Sequence, residues 1–388
     1  GHDRLGHGIG SDFQIVVVED ADADGGDDRV VLLHPLDGIL VHLVEIEPGH
    51  LLAATRIGFG GGQFGQPSRL VYSRDGGHTW ERPELAPFYG ARTMVGKLQS
   101  GRLLVTFRNV AGTPGSCAFV WDPAERFDDQ PNSSIWQPDR CRLAGGEMRI
   151  DSGQGLEGKV EFRLFPALTC QARVEIEARL RVESSDEPAA GAAISAGYPI
   201  RLGRDGLILP TVPEQHAEGP TGDSRLETAD VPGLGHCLKI PLDATREHTC
   251  RSVREAGQLR VEVDGRVMLC VDVAGRESRH VLFGGAGSAR STWRSVRARV
   301  DNPGDVSIDW SWRAEDGRLP DAFQRDRVVL LDRAVDSGYS GWCQRPDGGI
   351  VIVDYTNRSS RHAMHPHGPV TAAWSYLTTE EFLAPHLR

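Results

Sequence analysis

The chain has 388 residues, enough for two ordinary domains, each with its own buried core. A formal charge of −11, with lysine only at Lys97, Lys159 and Lys239, excludes a general binder of nucleic acid, which needs a basic stripe to displace counterions from phosphates. Seven cysteines, an odd number with no CxxC pair, exclude a disulfide framework and a cysteine zinc site.

Residues 1–4, Gly-His-Asp-Arg, lack the charged-then-apolar pattern of a secretory leader, and no apolar run reaches the roughly 18 residues of a membrane span. The expectation is a soluble chain without a membrane span, its compartment open with secreted slightly favoured over cytoplasmic, and its oligomeric state open. Residues 38–56, GILVHLVEIEPGHLLAATR, and residues 90–108, GARTMVGKLQSGRLLVTFR, then share a glycine, a second glycine, an aliphatic pair and a closing arginine at the same offsets, 52 residues apart. Each reads as a strand, a glycine turn and an aliphatic second strand, and repetition near fifty residues is the length of a four-stranded propeller blade. The glycine-rich run 58–62 between them follows a strand without opening a helix, so it lacks the setting of a phosphate-binding loop.

Residues 73–80, SRDGGHTW, follow the strand-like Arg69-Leu70-Val71-Tyr72. In such a segment Asp75 can bond backbone amides across a tight turn, glycine supplies a positive φ, and Trp80 packs between sheets. The segment resembles the Asp box, Ser-x-Asp-x-Gly-x-Thr-Trp, of the sialidase superfamily at Ser73, Asp75, Gly77, Thr79 and Trp80. The resemblance implies an all-β, sialidase-like β-propeller of about five or six blades. It also implies that Asp75 is structural, because Asp boxes lie on the face opposite the active site.

From 145 to 300 the repeat gives way to period-two alternation, as in Gln258-Leu259-Arg260-Val261-Glu262-Val263, which marks sheets with one wet face. This stretch resembles a concanavalin or laminin-G type jelly roll, a β-sandwich. The expected organisation is a discontinuous propeller, 11–144 and 301–388, interrupted by a lectin-like domain, 145–300. Cys250 and Cys270 flank a hairpin-like stretch within it and are the pair read as able to meet. Residues 312–317, WRAEDG, read as a decayed Asp box, residues 338–358 as a third copy of the repeat, and residues 378–382 as a capped helical turn.

In each repeat the start of the first strand and the end of the second share one face, opposite the Asp-box turn. His42, Arg56, Tyr89, Arg92, Arg108, Tyr339, Trp342, Tyr355, Asn357 and Arg358 are expected there. Guanidinium groups hold a carboxylate through two parallel hydrogen bonds, and rings stack on sugar faces, so the set suits an acidic sugar. The plainer alternative for any one of these arginines is a solvated strand end.

Tyr339-Ser340 in SGYSGW resembles the Tyr-Ser segment of the last sialidase blades, which implies Tyr339 as the catalytic nucleophile. A neutral phenol approaches an anomeric carbon bearing a carboxylate without the repulsion that a carboxylate nucleophile meets. Two departures from the family stand out. Gly38-Ile39-Leu40 replaces the arginine of an Arg-Ile-Pro segment, and residues 57–72 contain no Asp or Glu where sialidases keep their acid/base aspartate.

The resemblance therefore implies a sialidase-like exo-glycosidase acting on terminal acidic sugars, with a carbohydrate partner and no cofactor. A uronate-specific polysaccharide lyase is one alternative, with Arg56 or Arg108 neutralising the uronate and Tyr339 or His42 taking a proton. A glycan-binding propeller without catalysis is the other. His362, His365 and His367 read as a surface loop rather than a metal site, because Pro366 lies among them and no acidic ligand is near.

Overall fold

The computed structural model describes residues 15–17, 31–33, 41–55, 68–109, 115–127, 138–154, 158–165, 172–210, 217–218, 227–231, 235–274, 281–301, 307–332, 337–356 and 372–387. Arg56, Asn357, Arg358, the run 58–62 and His362, His365 and His367 lie outside these residues, as do the side chains of Tyr339 and Tyr355. Among the described residues the protein is all-β, with helix confined to α1 (Ala322–Arg327), α2 (Glu380–Leu383) and a few 3₁₀ turns. The chain divides into two compact units, one of Gly1–Asp128 with Phe323–Arg388, the other of Asp129–Ala322.

The first unit opens with a short ladder of β1 (Ile15–Val17) and β2 (Val31–Leu33), followed by three antiparallel meanders. The first meander is β3 (Val41–Glu47), β4 (His50–Thr55), β5 (Arg69–Ser73) and β6 (Glu84–Leu85). The second is β7 (Gly90–Lys97), β8 (Leu103–Asn109), β9 (Gly115–Trp121) and β10 (Val329–Asp332). The third is β11 (Ser337–Gln344), β12 (Ile350–Thr356) and β13 (Ala372–Thr378). The repeat's second glycines, Gly49 and Gly101, turn the first two hairpins at φ 76° and 87°, a region that side chains with a Cβ avoid. Because β10 pairs with β9, the second unit is inserted between the third and fourth strands of one sheet.

The meanders stack because β8 has no wet face: Leu103-Leu104-Val105-Thr106-Phe107 is buried at every position, so the sheet must be covered on both sides. Leu103, Val105 and Phe107, with Cys117, Phe119 and Trp121 of β9, pack on Leu52, Ala54, Leu70 and Tyr72 of the first meander. Leu104, Ala118 and Val120 point the other way, to Ile350 and Ile352 of the third. The second meander is thus layered between its neighbours, as propeller blades are.

Residues after β13 close over this stack. The Thr379 hydroxyl accepts the Phe382 N–H at 3.3 Å and caps α2, and Leu383 and Ala384 enter the core. Glu380 accepts hydrogen bonds from Ser100 Oγ at 2.8 Å and from Arg102 at 2.9 Å. Both ring nitrogens of His386 are buried and take no hydrogen bond from the protein. Burial first, then the Arg327 and Arg102 guanidinium groups against the opposing pull of Glu125, lowers its pKa from 6.5 to about 4.

The folded state therefore binds fewer protons here than the unfolded chain. The stability tied to neutral His386 is complete above pH 6.5 and is lost as pH falls towards about 4. Urea titrations across that range are expected to show a flatter stability profile for His386→Leu than for the wild type.

The second unit packs a nine-stranded against a seven-stranded antiparallel sheet, with Phe162, Phe283 and Trp293 in the shared core. The first sheet carries a lattice of ion pairs, among them Arg181–Glu147 at 2.9 Å, Arg251–Glu175 at 3.0 Å and Arg297–Asp309 at 2.9 Å. Strands Cys141–Ala144 and Ile308–Arg313 both pair within this sheet, so the unit extends beyond 145–300 at each end. Residues 312–317 belong to it too. Trp312 donates to the Arg318 carbonyl at 2.7 Å, and the segment is the end of a sandwich strand rather than an Asp box of the meanders. Cys250 and Cys270 are free thiols: Cys250 is buried, and Cys270 instead contacts Gln258 Oε1 at 3.5 Å.

Candidate functional site

The turn after β5 is a closed hydrogen-bond unit. The Asp75 carboxylate accepts the Thr79 hydroxyl at 2.6 Å, the Thr79 N–H at 2.8 Å and the Ser73 hydroxyl at 2.9 Å. Ser73 Oγ in turn accepts the Gly77 N–H at 2.9 Å, and Gly76 and Gly77 take φ 72° and 93°. The Gly76 N–H donates to the Gly49 carbonyl at 2.8 Å, fixing the turn against the β3–β4 hairpin, and Trp80 is half-buried beside it. Both carboxylate oxygens of Asp75 accept hydrogen bonds within this turn.

The Thr79 hydroxyl, then its N–H, hold the Asp75 carboxyl at about 2, against an ordinary 3.8. Its contribution is present above pH 3.8 and is lost as pH falls towards 2. Asp75→Asn is expected to melt below the wild type at neutral pH, with the two melting temperatures converging as pH falls through that window.

At the opposite end of the sheets, both β7 and β11 break register. Ala91 pairs with Arg108 and Met94 with Thr106, leaving Arg92 and Thr93 as a bulge. Gly338 pairs with Tyr355 and Gly341 with Val353, leaving Tyr339 and Ser340 as a second. Counted back from the pairs Lys97–Leu103 and Gln344–Ile350 that close the two hairpins, Ala91 matches Gly338 and Met94 matches Gly341, so the two bulges occupy matching positions. Bulges re-aim side chains and gather next to active sites. Arg92 adds backbone strain: its φ of 57° is the left-handed region that non-glycine residues enter at a cost.

A buried polar network supports the second bulge. Asp354 Oδ2 of β12 accepts the Ser340 hydroxyl at 2.7 Å and the Ser116 hydroxyl of β9, and Thr106 Oγ1 of β8 donates to the Ser340 carbonyl at 3.0 Å. Arg108 pairs with Ser116 in register and shares with Leu104 and Thr106 the face turned to the third meander. Sequence reasoning missed Asp354 and Ser116, and named Ser340 only as the neighbour of Tyr339. The signal that reveals Asp354 is parity, since it follows Ile350 and Ile352 at period two and so shares their inward face.

The remaining candidates divide. His42 Nδ1 accepts the Val95 N–H at 3.2 Å, which ties its ring to β7. Tyr89 is 3% exposed and offers no ring face to a ligand. Trp342 is partly buried against the core between the second and third meanders, and a Cβ on Gly96 would come within 2.6 Å of its ring, which makes it a packing residue. Tyr72 is a buried phenol held neutral, with burial and then Glu84 pushing its pKa to about 12, so it is no nucleophile at ordinary pH. The structure thus places the Arg92 bulge and Arg108 on paired strands of the second meander and the Tyr339 bulge on the first strand of the third, while His42, Tyr89 and Trp342 make the packing and hydrogen-bond contacts described above.

No protein-family model and no curated protein sequence matches the chain. Among solved structures it is similar to alginate lyase AlgAT5 from polysaccharide lyase family 7, with TM-score 0.28, 12% identity, and coverage of 45% of this chain and 92% of that one. It is also similar to a sialidase, with TM-score 0.32, 10% identity, and coverage of 69% and 32%. A mutant of Trypanosoma rangeli sialidase displaying trans-sialidase activity gives TM-score 0.30, 9% identity, and coverage of 81% and 66%. Likenesses of this size fix neither a family nor a reaction.

Proposed function

We propose that the chain acts on acidic saccharides, removing terminal sugars as a sialidase-like exo-glycosidase. The observation that carries this is the pair of β-bulges at matching hairpin positions on β7 and β11, one holding Arg92 in a strained conformation, the other holding Tyr339. In this reading the Arg92 guanidinium, with Arg108, holds the sugar carboxylate by paired charge-assisted hydrogen bonds. The Tyr339 oxygen attacks the anomeric carbon as the glycosidic bond breaks, the phenolic proton passing through solvent to the departing oxygen; water then attacks the same carbon, giving its hydroxyl to the sugar and its proton back to the tyrosine oxygen.

A uronate lyase is the second reading, and one observation favours it. Asp354, the buried carboxylate beside the Tyr339 bulge, is occupied by two serine hydroxyls rather than poised to protonate a leaving group. Elimination needs only a cation on the uronate and a tyrosine to move the proton, and the same bulges supply both.

The test is a panel of aryl glycosides that includes the sialoside, run beside uronate polysaccharides followed by the absorbance of unsaturated product. Turnover of an acidic glycoside that disappears in Tyr339→Phe supports the hydrolase. Unsaturated product moves the assignment to the lyase, and tight glycan binding with no turnover, unchanged in Tyr339→Phe, rejects both.

A further inference from the structure

We propose that Asp354 is a positioning residue that locks the Tyr339 bulge through Ser340 and Ser116, a role that rests on Tyr339 being the reacting group. Asp354 is 2% exposed, and Ser340, Ser116 and Thr106 are fully buried. Between Gly338 and Gly341 the β11–β12 register slips, so the ladder that fixes the rest of the strand is interrupted where Tyr339 and Ser340 sit.

Ser340 replaces that ladder with two clamps. Its hydroxyl donates to Asp354 Oδ2 at 2.7 Å, and its carbonyl accepts Thr106 Oγ1 at 3.0 Å. The first clamp comes from β12 in the same sheet and the second from β8 in the sheet alongside. Ser116 of β9 donates to the same Asp354 oxygen, so the carboxylate bridges the second and third meanders.

Both serine protons point at one oxygen, which requires an acceptor there and leaves two orphaned hydroxyls if it is removed. A network filled in this way fixes one conformation, whereas a half-filled one frees the segment it held. Ser340 is adjacent to Tyr339 in the bulge, so the carboxylate sets the backbone from which Tyr339 projects.

The experiment combines kinetics with a probe that does not depend on turnover. The protein contains six tyrosines, and 3-fluorotyrosine labelling gives each a fluorine resonance, that of Tyr339 being assigned by its loss in Tyr339→Phe. Ser340→Ala and Asp354→Ala are expected to shift or broaden the Tyr339 resonance while those of Tyr72, Tyr89 and Tyr198 stay in place. Asp354→Asn, which keeps an acceptor oxygen, is expected to restore it. On the acidic aryl glycoside or uronate polysaccharide that the protein turns over, Ser340→Ala is expected to lower kcat about tenfold with little change in KM.

An unmoved Tyr339 resonance in Ser340→Ala overturns the proposal, whatever happens to the melting temperature, and decides the matter alone if Asp354→Ala fails to fold. A resonance that moves while Tyr339→Phe keeps full turnover leaves the lock standing and rejects Tyr339 as the reacting group.

Discussion

Arg92→Gly is expected to weaken binding of an acidic sugar by roughly 10–150-fold while leaving the protein at least as stable as the wild type. The loss corresponds to a charge-assisted hydrogen-bonded contact of about 1.5–3 kcal/mol. The stability follows from the backbone: at φ 57° a Cβ costs about 1–2 kcal/mol, which glycine relieves, less about 0.5–1 kcal/mol for the freer unfolded chain. Arg92→Ala separates the two effects. It loses the same guanidinium but keeps the strain, and should be less stable than Arg92→Gly by about 1 kcal/mol. Urea unfolding with calorimetric titration of sialic acid and glucuronate checks both variants. Undiminished binding in Arg92→Gly would remove Arg92 from the site.

Phe119→Ala is expected to destabilise the first unit by about 3–5 kcal/mol, a large share of a typical domain's stability. Phe119 is fully buried, with Phe88 at 5.8 Å, Trp121 at 5.5 Å and Phe127 at 5.9 Å. The Arg327 guanidinium lies 5.0 Å above its ring, held there by Glu125 at 2.7 Å. Truncation opens a cavity where the first two meanders meet, and the buried guanidinium loses a ring it stacks on. Denaturant titration measures the loss. A cost below about 1 kcal/mol would mean that the two sheets do not depend on this contact.

The elements legible in the sequence are those fixed by short-range chemistry. Gly49 and Gly101 mark their turns because the backbone there needs a positive φ, and Ser73, Asp75 and Thr79 close a turn within seven residues. The all-β character follows from alternation and from scarce helix signals. Strand pairing between distant segments was not legible. Cys141–Ala144 and Ile308–Arg313 alternate like any half-buried strand, and nothing local states which sheet they join.

The same limit hid the site's geometry. Arg92 and Tyr339 were visible as residues, but the bulges that hold them are register shifts against β8 and β12, a property of pairs of strands. Trp342 shows the converse error. An aromatic residue beside a candidate nucleophile reads as a stacking platform, whereas here it fills the space left by Gly96, a residue far away in sequence.

Amide hydrogen exchange with saturating sialic acid, and separately with a uronate oligosaccharide, most directly tests whether the two bulges serve one ligand. Slower exchange is predicted together in peptides covering 90–94 and 338–342, with the turn at 73–80 unchanged. Protection of only one bulge, or protection confined to the turn at 73–80 or to the unit Asp129–Ala322, would contradict a shared site.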